Sequence, residues 1–287
     1  MALGMTLNGA EGNTYEAMRN TLSLSGITQQ EINESYQSLV QLLTKIDSKV
    51  IMQIANSIWY RNTITVKQDF IETNKKFFDA AINPMNFNDP ATINIINNWV
   101  KESTNGKIDK IVESIDPATI MFLINAIYFK GTWQYQFDKS KTIDDLFKKD
   151  SGDFVQCKMM DLETEFYVSS NDTFTMLDLP YGKGNFSMTI LLPAKDKKVK
   201  DVVSVLNDAL WKSSINSLSK MKKQLYIPRF KMEYKIKLNE TLKALGMEIA
   251  FDPYKANFKK IYEGVGNAYI SDVDHKTFVD VNEEGTE

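Results

Sequence analysis

Three stretches near the front of the chain carry apolar residues at the spacing of an amphipathic helix. They are residues 15–24, 29–43 and 70–81. Gly26 follows the first stretch, and glycine is typical just past the end of a helix. The front of the chain is therefore predicted to be mainly helical.

A further helix is predicted after Asp89, whose side chain can cap it, with Pro90 in its first turn. Its apolar stripe should end before Gly106. The stripe consists of Ile93, Ile96, Trp99 and Val100. This is the clearest helical pattern in the chain.

Strand patterns occupy the middle of the chain. Residues 50–60 are predicted to form one strand, and the nearly continuous apolar run 120–129 predicts a strand covered on both faces and central to a sheet. Residues 166–193 contain three β-like runs, with a turn at 182–185. These three runs predict a meander.

Helical and strand patterns alternate towards the end. Residues 202–218 are predicted to be helical, and 225–238 alternate as in a strand in which Pro228 indicates an edge or a bulge. Asn239 is expected to cap a helix that stops at Gly246. Residues 268–281 again alternate as in a strand. With no repeat or linker in the sequence, this pattern predicts one α+β domain.

Composition excludes several classes of function. Among 287 residues, 43% are hydrophobic and 25% charged, and the net charge is −3. This balance is typical of globular proteins and gives no basic surface for nucleic acid. No apolar run approaches the roughly 20 residues that span a bilayer, so we expect no membrane span.

Few residues are suited to catalysis or metal binding. Cys157 and His275 are the only cysteine and histidine, which excludes an internal disulfide and most metal and acid–base sites. No phosphate-binding loop and no nucleophile elbow is present. We therefore expect no catalytic residue, metal or cofactor, and no enzyme activity, although an enzyme of unrecognised type stays open as a distant alternative.

Several stretches, in order along the chain, resemble the serpin family of serine protease inhibitors. They are residues 125–133 (NAIYFKGTW), 179–181 (LPY), 228–231 (PRFK) and 275–287, which ends in VNEEGTE. The resemblance covers residues 1–287. It implies one serpin-like domain of the α+β class, with several helices around a large central mixed β-sheet and additional smaller sheets.

The last residues resemble the proximal hinge of the serpin reactive loop. The hinge residues are Glu283, Glu284, Gly285, Thr286 and Glu287. In the family, a protease cleaves the loop, which then inserts as a strand into the central sheet while the protease is still attached. By the family's register Thr286 would face inward, where a small β-branched residue is tolerated and a charge is not. Gly285 would supply the backbone freedom of a pivot.

Three further residues match family sites by position. Asn125 and His275 match the shutter, a buried polar cluster beneath the central sheet that ties the strands flanking the insertion site. Trp133 matches the breach, where the loop begins to enter. None of the three is expected to act on a substrate.

The resemblance also implies that the chain is incomplete. A first helix and outer strand should precede Met1, and the bait loop and core strands should follow Glu287 and bind this part as a partner segment. The implied function is inhibition of a serine or cysteine protease, with a non-inhibitory carrier, chaperone or binding scaffold as the alternative. An extracellular or cell-surface location is expected, and a cytoplasmic one stays open.

Overall fold

The computed structural model describes residues 1–264 and 267–287, without the side chain of Glu263. Helices in this part of the chain are α1 Ala2–Leu7, α2 Gly12–Thr21, α3 Gln29–Leu43, α4 Gln68–Phe78, α5 Ala91–Ser103, α6 Val199–Val205, α7 Asp208–Asn216 and α8 Asn239–Leu242. Shorter helical turns are found at Lys139–Lys141, Lys243–Met247 and Glu248–Phe251.

The strands form three sheets. They are β1 Val50–Arg61, β2 Thr65–Val66, β3 Ala80–Met85, β4 Met121–Thr132, β5 Ile143–Lys148, β6 Phe154–Ser170, β7 Phe174–Tyr181, β8 Phe186–Pro193, β9 Ser219–Pro228, β10 Phe230–Lys237, β11 Tyr262–Glu263, β12 Asp274–Val281 and β13 Gly285–Thr286. The largest sheet has the order β10-β12-β13-β4-β1-β3, with β1 and β3 parallel. The second has the order β5-β6-β7-β8, with β9 paired to β6, and β11 pairs with β2.

The chain divides into two compact units. The first comprises Met1–Lys45, Met52–Tyr128 and Glu233–Phe278, and the second comprises Ile46–Ile51, Phe129–Met232 and Val279–Glu287. The mixed sheet and surrounding helices confirm the predicted α+β class. The interpretation of residues 1–287 as one domain stays a prediction.

The first unit contains two hydrophobic cores. One packs the N-terminal helices against β1 through fully buried side chains that include Met5, Met18 and Ile58. The other packs α5 through Ile96 and Val100. The predicted start of α5 is confirmed, because the Asp89 side chain accepts the Ala91 amide at 2.9 Å.

The core of the second unit is built on the predicted meander. β6, β7 and β8 pair antiparallel in sequence, and Phe166, Leu179, Tyr181 and Val281 are among its buried side chains. Asp47 holds the β7–β8 turn, because its buried carboxylate accepts the Lys183 amide at 2.8 Å.

Several predicted elements are wrong in detail. The helix predicted over 70–81 ends at Phe78, because Asp79 takes a left-handed conformation (φ 49°) and Ala80 begins β3. The pattern over 202–218 divides into α6 and α7, and that over 225–238 divides after Pro228 into β9 and β10, which lie in different sheets. Asn239 caps no helix, since its side chain accepts the Val273 amide instead.

The apolar run 120–129 forms β4 as predicted, but the strand is not covered on both faces. Ile124, Ala126 and Tyr128 are buried, whereas Ile127 on the other face is 50% exposed. A continuous apolar run therefore overstated how much of this strand is covered.

Candidate functional site

The last residues of the chain form a tight turn in the second unit. β12 ends at Val281, the chain reverses, and it returns as the two-residue strand β13. Asn282 closes the turn, because its amide donates to the Gly285 carbonyl at 3.0 Å and its side-chain oxygen accepts the Glu284 amide at 2.9 Å. Beyond the turn, Asp280 and Glu287 exchange two backbone hydrogen bonds of 2.7 and 2.9 Å.

The returning strand β13 also pairs with β4. Gly285 lies opposite Thr132, and Thr286 lies opposite Gly131. In the order of the sheet, β13 therefore stands between β12 and β4.

Packing around Gly285 requires a glycine at this position. A Cβ atom on this residue would lie 2.0 Å from the carbonyl oxygen of Gly131. Gly285 is not among the described glycines with positive φ, and its role as a pivot stays a prediction. Only a residue without a side chain allows β13 to approach β4 this closely.

Thr286 points into the second unit and is 8% exposed. The Tyr181 hydroxyl donates a hydrogen bond of 2.6 Å to its Oγ1. Burial raises the pKa of Tyr181 to about 12, against the lowering effect of its hydrogen bond with Thr286. The phenol is therefore protonated at neutral pH and able to donate.

Trp133 lies against the same turn. Its indole Nε1 donates to the Asn282 carbonyl at 2.8 Å, and its ring stacks on Tyr181 with centroids 4.4 Å apart. The Trp133 amide donates to the Glu284 carbonyl at 2.9 Å. Trp133 thus contacts the hinge through both its ring and its backbone.

The two hinge glutamates have different surroundings. Glu283 is 4% exposed and accepts the Thr142 hydroxyl at 2.9 Å, with the Arg229 guanidinium 3.9 Å away. Glu284 is exposed and forms an ion pair with Lys139, whose hydrogen bond holds the pKa of Glu284 below its usual value. Glu283 is therefore the buried anchor of the turn, and Glu284 is a surface contact.

The two predicted shutter residues lie in the first unit, and the structure does not join them. The Asn125 side chain donates to Oδ1 of Asn56 at 2.9 Å, and Asn56 in turn donates to the Phe78 carbonyl at 2.7 Å. His275 is exposed, and its side chain makes no hydrogen bond within the described residues. On β12 its position faces solvent, and its assignment to a buried shutter stays a prediction.

Other residues of the hinge site carried no signal of their own in the sequence. Tyr181 and Asn282 lie within the motifs LPY and VNEEGTE, neither of which assigns them a role, and Thr142 lies outside every motif. Thr142 and Tyr181 contact hinge residues more than one hundred positions away in the chain. Periodicity and local spacing cannot show such contacts.

Within residues 1–264 and 267–287, no group of three or more His, Cys, Asp or Glu side chains is arranged to hold a metal ion. Among the helices of that same part, none is long and apolar enough to cross a membrane.

Comparison with known proteins gives consistent matches along the chain. The family model for serpin (serine protease inhibitor) matches residues 1–287. Human neuroserpin is 33% identical over all of this chain and 72% of its own length. The latent state of tengpin, a thermophilic serpin, superposes with a TM-score of 0.92 at 35% identity, covering 99% of this chain and 77% of tengpin. Reactive-loop-cleaved human thyroxine-binding globulin also gives 0.92, at 27% identity, covering 99% and 85%.

Proposed function

The chain belongs to the serpin family, and from this premise we propose that the full-length protein inhibits a serine-type endopeptidase by trapping it. The proposal includes cysteine proteases as a second class of target. The observation that carries it is the position of β13, between β12 and β4 in the largest sheet, with Thr286 buried. A strand that enters a sheet at this point separates the two strands that must accept a cleaved loop.

In the proposed reaction the target protease supplies the chemistry. Its serine Oγ attacks the carbonyl carbon of the bait peptide bond, the C–N bond breaks, the leaving amine takes a proton, and an ester joins the two proteins. The residues that follow Gly285 and Thr286 then enter the sheet as a continuation of β13, before water hydrolyses the ester. The chain's own contribution is to begin this strand in the correct register.

Thr286 gives the test of this proposal. We expect the full-length protein, incubated with a panel of serine and cysteine proteases, to form a covalent complex that survives denaturing electrophoresis. Thr286→Arg should be cleaved without forming the complex, because a buried guanidinium opposes insertion. Thr286→Ser is the matched control and should trap as well as the parent.

Two results would contradict the proposal. One is cleavage of the parent by every protease of the panel without a covalent complex. The other is a Thr286→Arg variant that traps a protease as efficiently as the parent.

A non-inhibitory binding scaffold is the second candidate. It is favoured by the likeness to thyroxine-binding globulin, whose name describes the binding of a small molecule. Cleavage separates the two candidates, since an inserting loop should raise the thermal unfolding temperature and a scaffold without insertion should leave it unchanged. Differential scanning calorimetry before and after limited proteolysis measures this difference.

As part of the same proposal, the protein acts outside the cell or at its surface, where an extracellular protease would meet it. Fractionation of the source cells, with detection by an antibody to the full-length protein, tests this. Recovery from the cytoplasm alone would contradict the extracellular location without affecting the proposed inhibition.

A further inference from the structure

Tyr181 and Thr286 bring two buried hydroxyl groups into direct contact. Tyr181 ends β7, and its phenol donates to Thr286 at the end of β13 over 2.6 Å. Tyr181 is 3% exposed and Thr286 8% exposed, so water has little access to either group. A buried hydroxyl without a partner is costly, and each therefore depends on the other.

The Tyr181 ring is held so that its hydroxyl reaches residue 286. Trp133 stacks on the ring with an interplanar angle of 14°. Gly131, opposite Thr286 on β4, leaves room for the ring, since a Cβ atom there would lie 2.8 Å from it. Packing thus fixes the phenol at the point where β13 joins the sheet.

A small size at residue 286 does not by itself account for this arrangement. A valine has the same branched shape as threonine and would fill the same volume, but it would leave the Tyr181 hydroxyl buried without an acceptor. Serine would keep the acceptor with one methyl group fewer. The contact therefore distinguishes side chains by their hydroxyl group.

We propose that Tyr181 is a positioning residue for the hinge, which recognises a hydroxyl group at residue 286 and holds β13 in the sheet. We call the hydrogen bond between Tyr181 and Thr286 the latch. This inference rests on the proposed function, in which holding β13 in the sheet is the first step of strand insertion. The side chain at residue 286 must therefore carry a hydrogen-bond acceptor as well as be small.

Hydrogen exchange of the full-length protein tests the latch. We expect the backbone amides of residues 281–287 to exchange about tenfold faster in both Tyr181→Phe and Thr286→Val, since a lost buried hydrogen bond of about 1.4 kcal/mol corresponds to a factor of ten in the local opening equilibrium. The double variant should exchange no faster than either single variant. Thr286→Ser should match the parent, and so should Tyr226→Phe, which removes an exposed phenol of the same unit.

Two outcomes would overturn the latch: exchange of Thr286→Val at the parent's rate, or additive effects in the double variant. The comparison of Thr286→Ser with Thr286→Val leaves Tyr181 intact, so it decides the question even where Tyr181→Phe does not fold. The covalent-complex assay is separate. A parent that forms no complex but shows the coupled exchange would overturn the proposed inhibition and support the latch.

Discussion

The hinge in the second unit and the Asn125 and His275 positions in the first unit differ sharply in how many contacts hold them. Residues 282–286 have their turn closed by backbone bonds, Thr286 bonded to Tyr181 and Glu283 bonded to Thr142. His275 is exposed, and its side chain forms no hydrogen bond in the described part of the chain. Asn125 does have a polar partner, because its side chain donates to buried Asn56 at 2.9 Å. The same resemblance pointed to both regions, and His275 is the member that the structure leaves exposed.

The difference shows what a motif match can and cannot convey. A motif fixes the order of residue types along the chain, while the strength of a polar site depends on burial and on partners far away in sequence. Variants at the hinge should therefore change stability much more than variants at His275.

The largest effect is expected for Glu283→Lys. It replaces a buried carboxylate with a cation that has no acceptor partner and lies near Arg229, and a buried charge left without a partner costs about 4 kcal/mol. Chemical denaturation of the full-length protein measures the loss in the free energy of unfolding. Glu284→Lys is the matched control, and because Glu284 is exposed it should cost far less than Glu283→Lys. Equal losses would show that Glu283 is not an anchor.

The second largest effect is expected for Gly285→Ala. It should lower the free energy of unfolding by about 3 kcal/mol, because the added methyl group would overlap the Gly131 backbone. Gly152→Ala serves as the comparison, since it has open space around it and only a positive φ of 93°. It should cost about 1 kcal/mol. A Gly285→Ala variant as stable as Gly152→Ala would contradict the close pairing of β13 with β4.

Asp47→Asn is expected to cost about 2 kcal/mol at neutral pH, because the buried carboxylate accepts two backbone amides. Burial opposes ionisation, but hydrogen bonds from the Lys49 and Lys183 amides outweigh it and hold the pKa of Asp47 below its usual value. A lowered folded-state pKa means that the stability is present above the unfolded pKa of about 3.9 and is lost as the pH falls through the folded value.

The difference between parent and Asp47→Asn should therefore be constant above about pH 5 and shrink below about pH 4. Denaturation at a series of pH values measures it. A difference that persists unchanged into acid would show that the charge of Asp47 does not hold the β7–β8 turn.

The smallest effect is expected for His275→Ala, within about 0.5 kcal/mol, because the side chain is exposed and unbonded in the described residues. Asn125→Ala should cost about 1 kcal/mol through its hydrogen bond to Asn56. Thermal unfolding and polymerisation on mild heating compare both with the parent. A large loss for His275→Ala would restore the buried shutter that the resemblance implied.

Much of the fold follows from the sequence. Helix α3 was predicted with its observed bounds from the spacing of its apolar residues, and the structure adds a capping box of Thr28 and Glu31 at its start. The meander over β6–β8 followed from its turns. Strand β5 was not predicted. All of its residues are exposed, so it has no buried face to produce a pattern, and its strand conformation depends on pairing with β6.

The hinge site could be located but not explained from the sequence. Its residue order indicated Gly285, Thr286 and Trp133, yet the reason for Gly285 is a backbone contact with Gly131 across the sheet. The partner of Thr286 is Tyr181, 105 positions away. A side-chain contact between strands of two different sheets depends on tertiary packing, which no local pattern specifies.

The most direct test of strand entry at Gly285 and Thr286 is the thermal unfolding temperature of the full-length protein before and after protease cleavage of its reactive loop, for the parent and Thr286→Arg. We predict a clear rise after cleavage in the parent and none in Thr286→Arg, because only the parent can continue the strand that β13 begins. An unchanged temperature in the cleaved parent, or an equal rise in both proteins, would contradict the account.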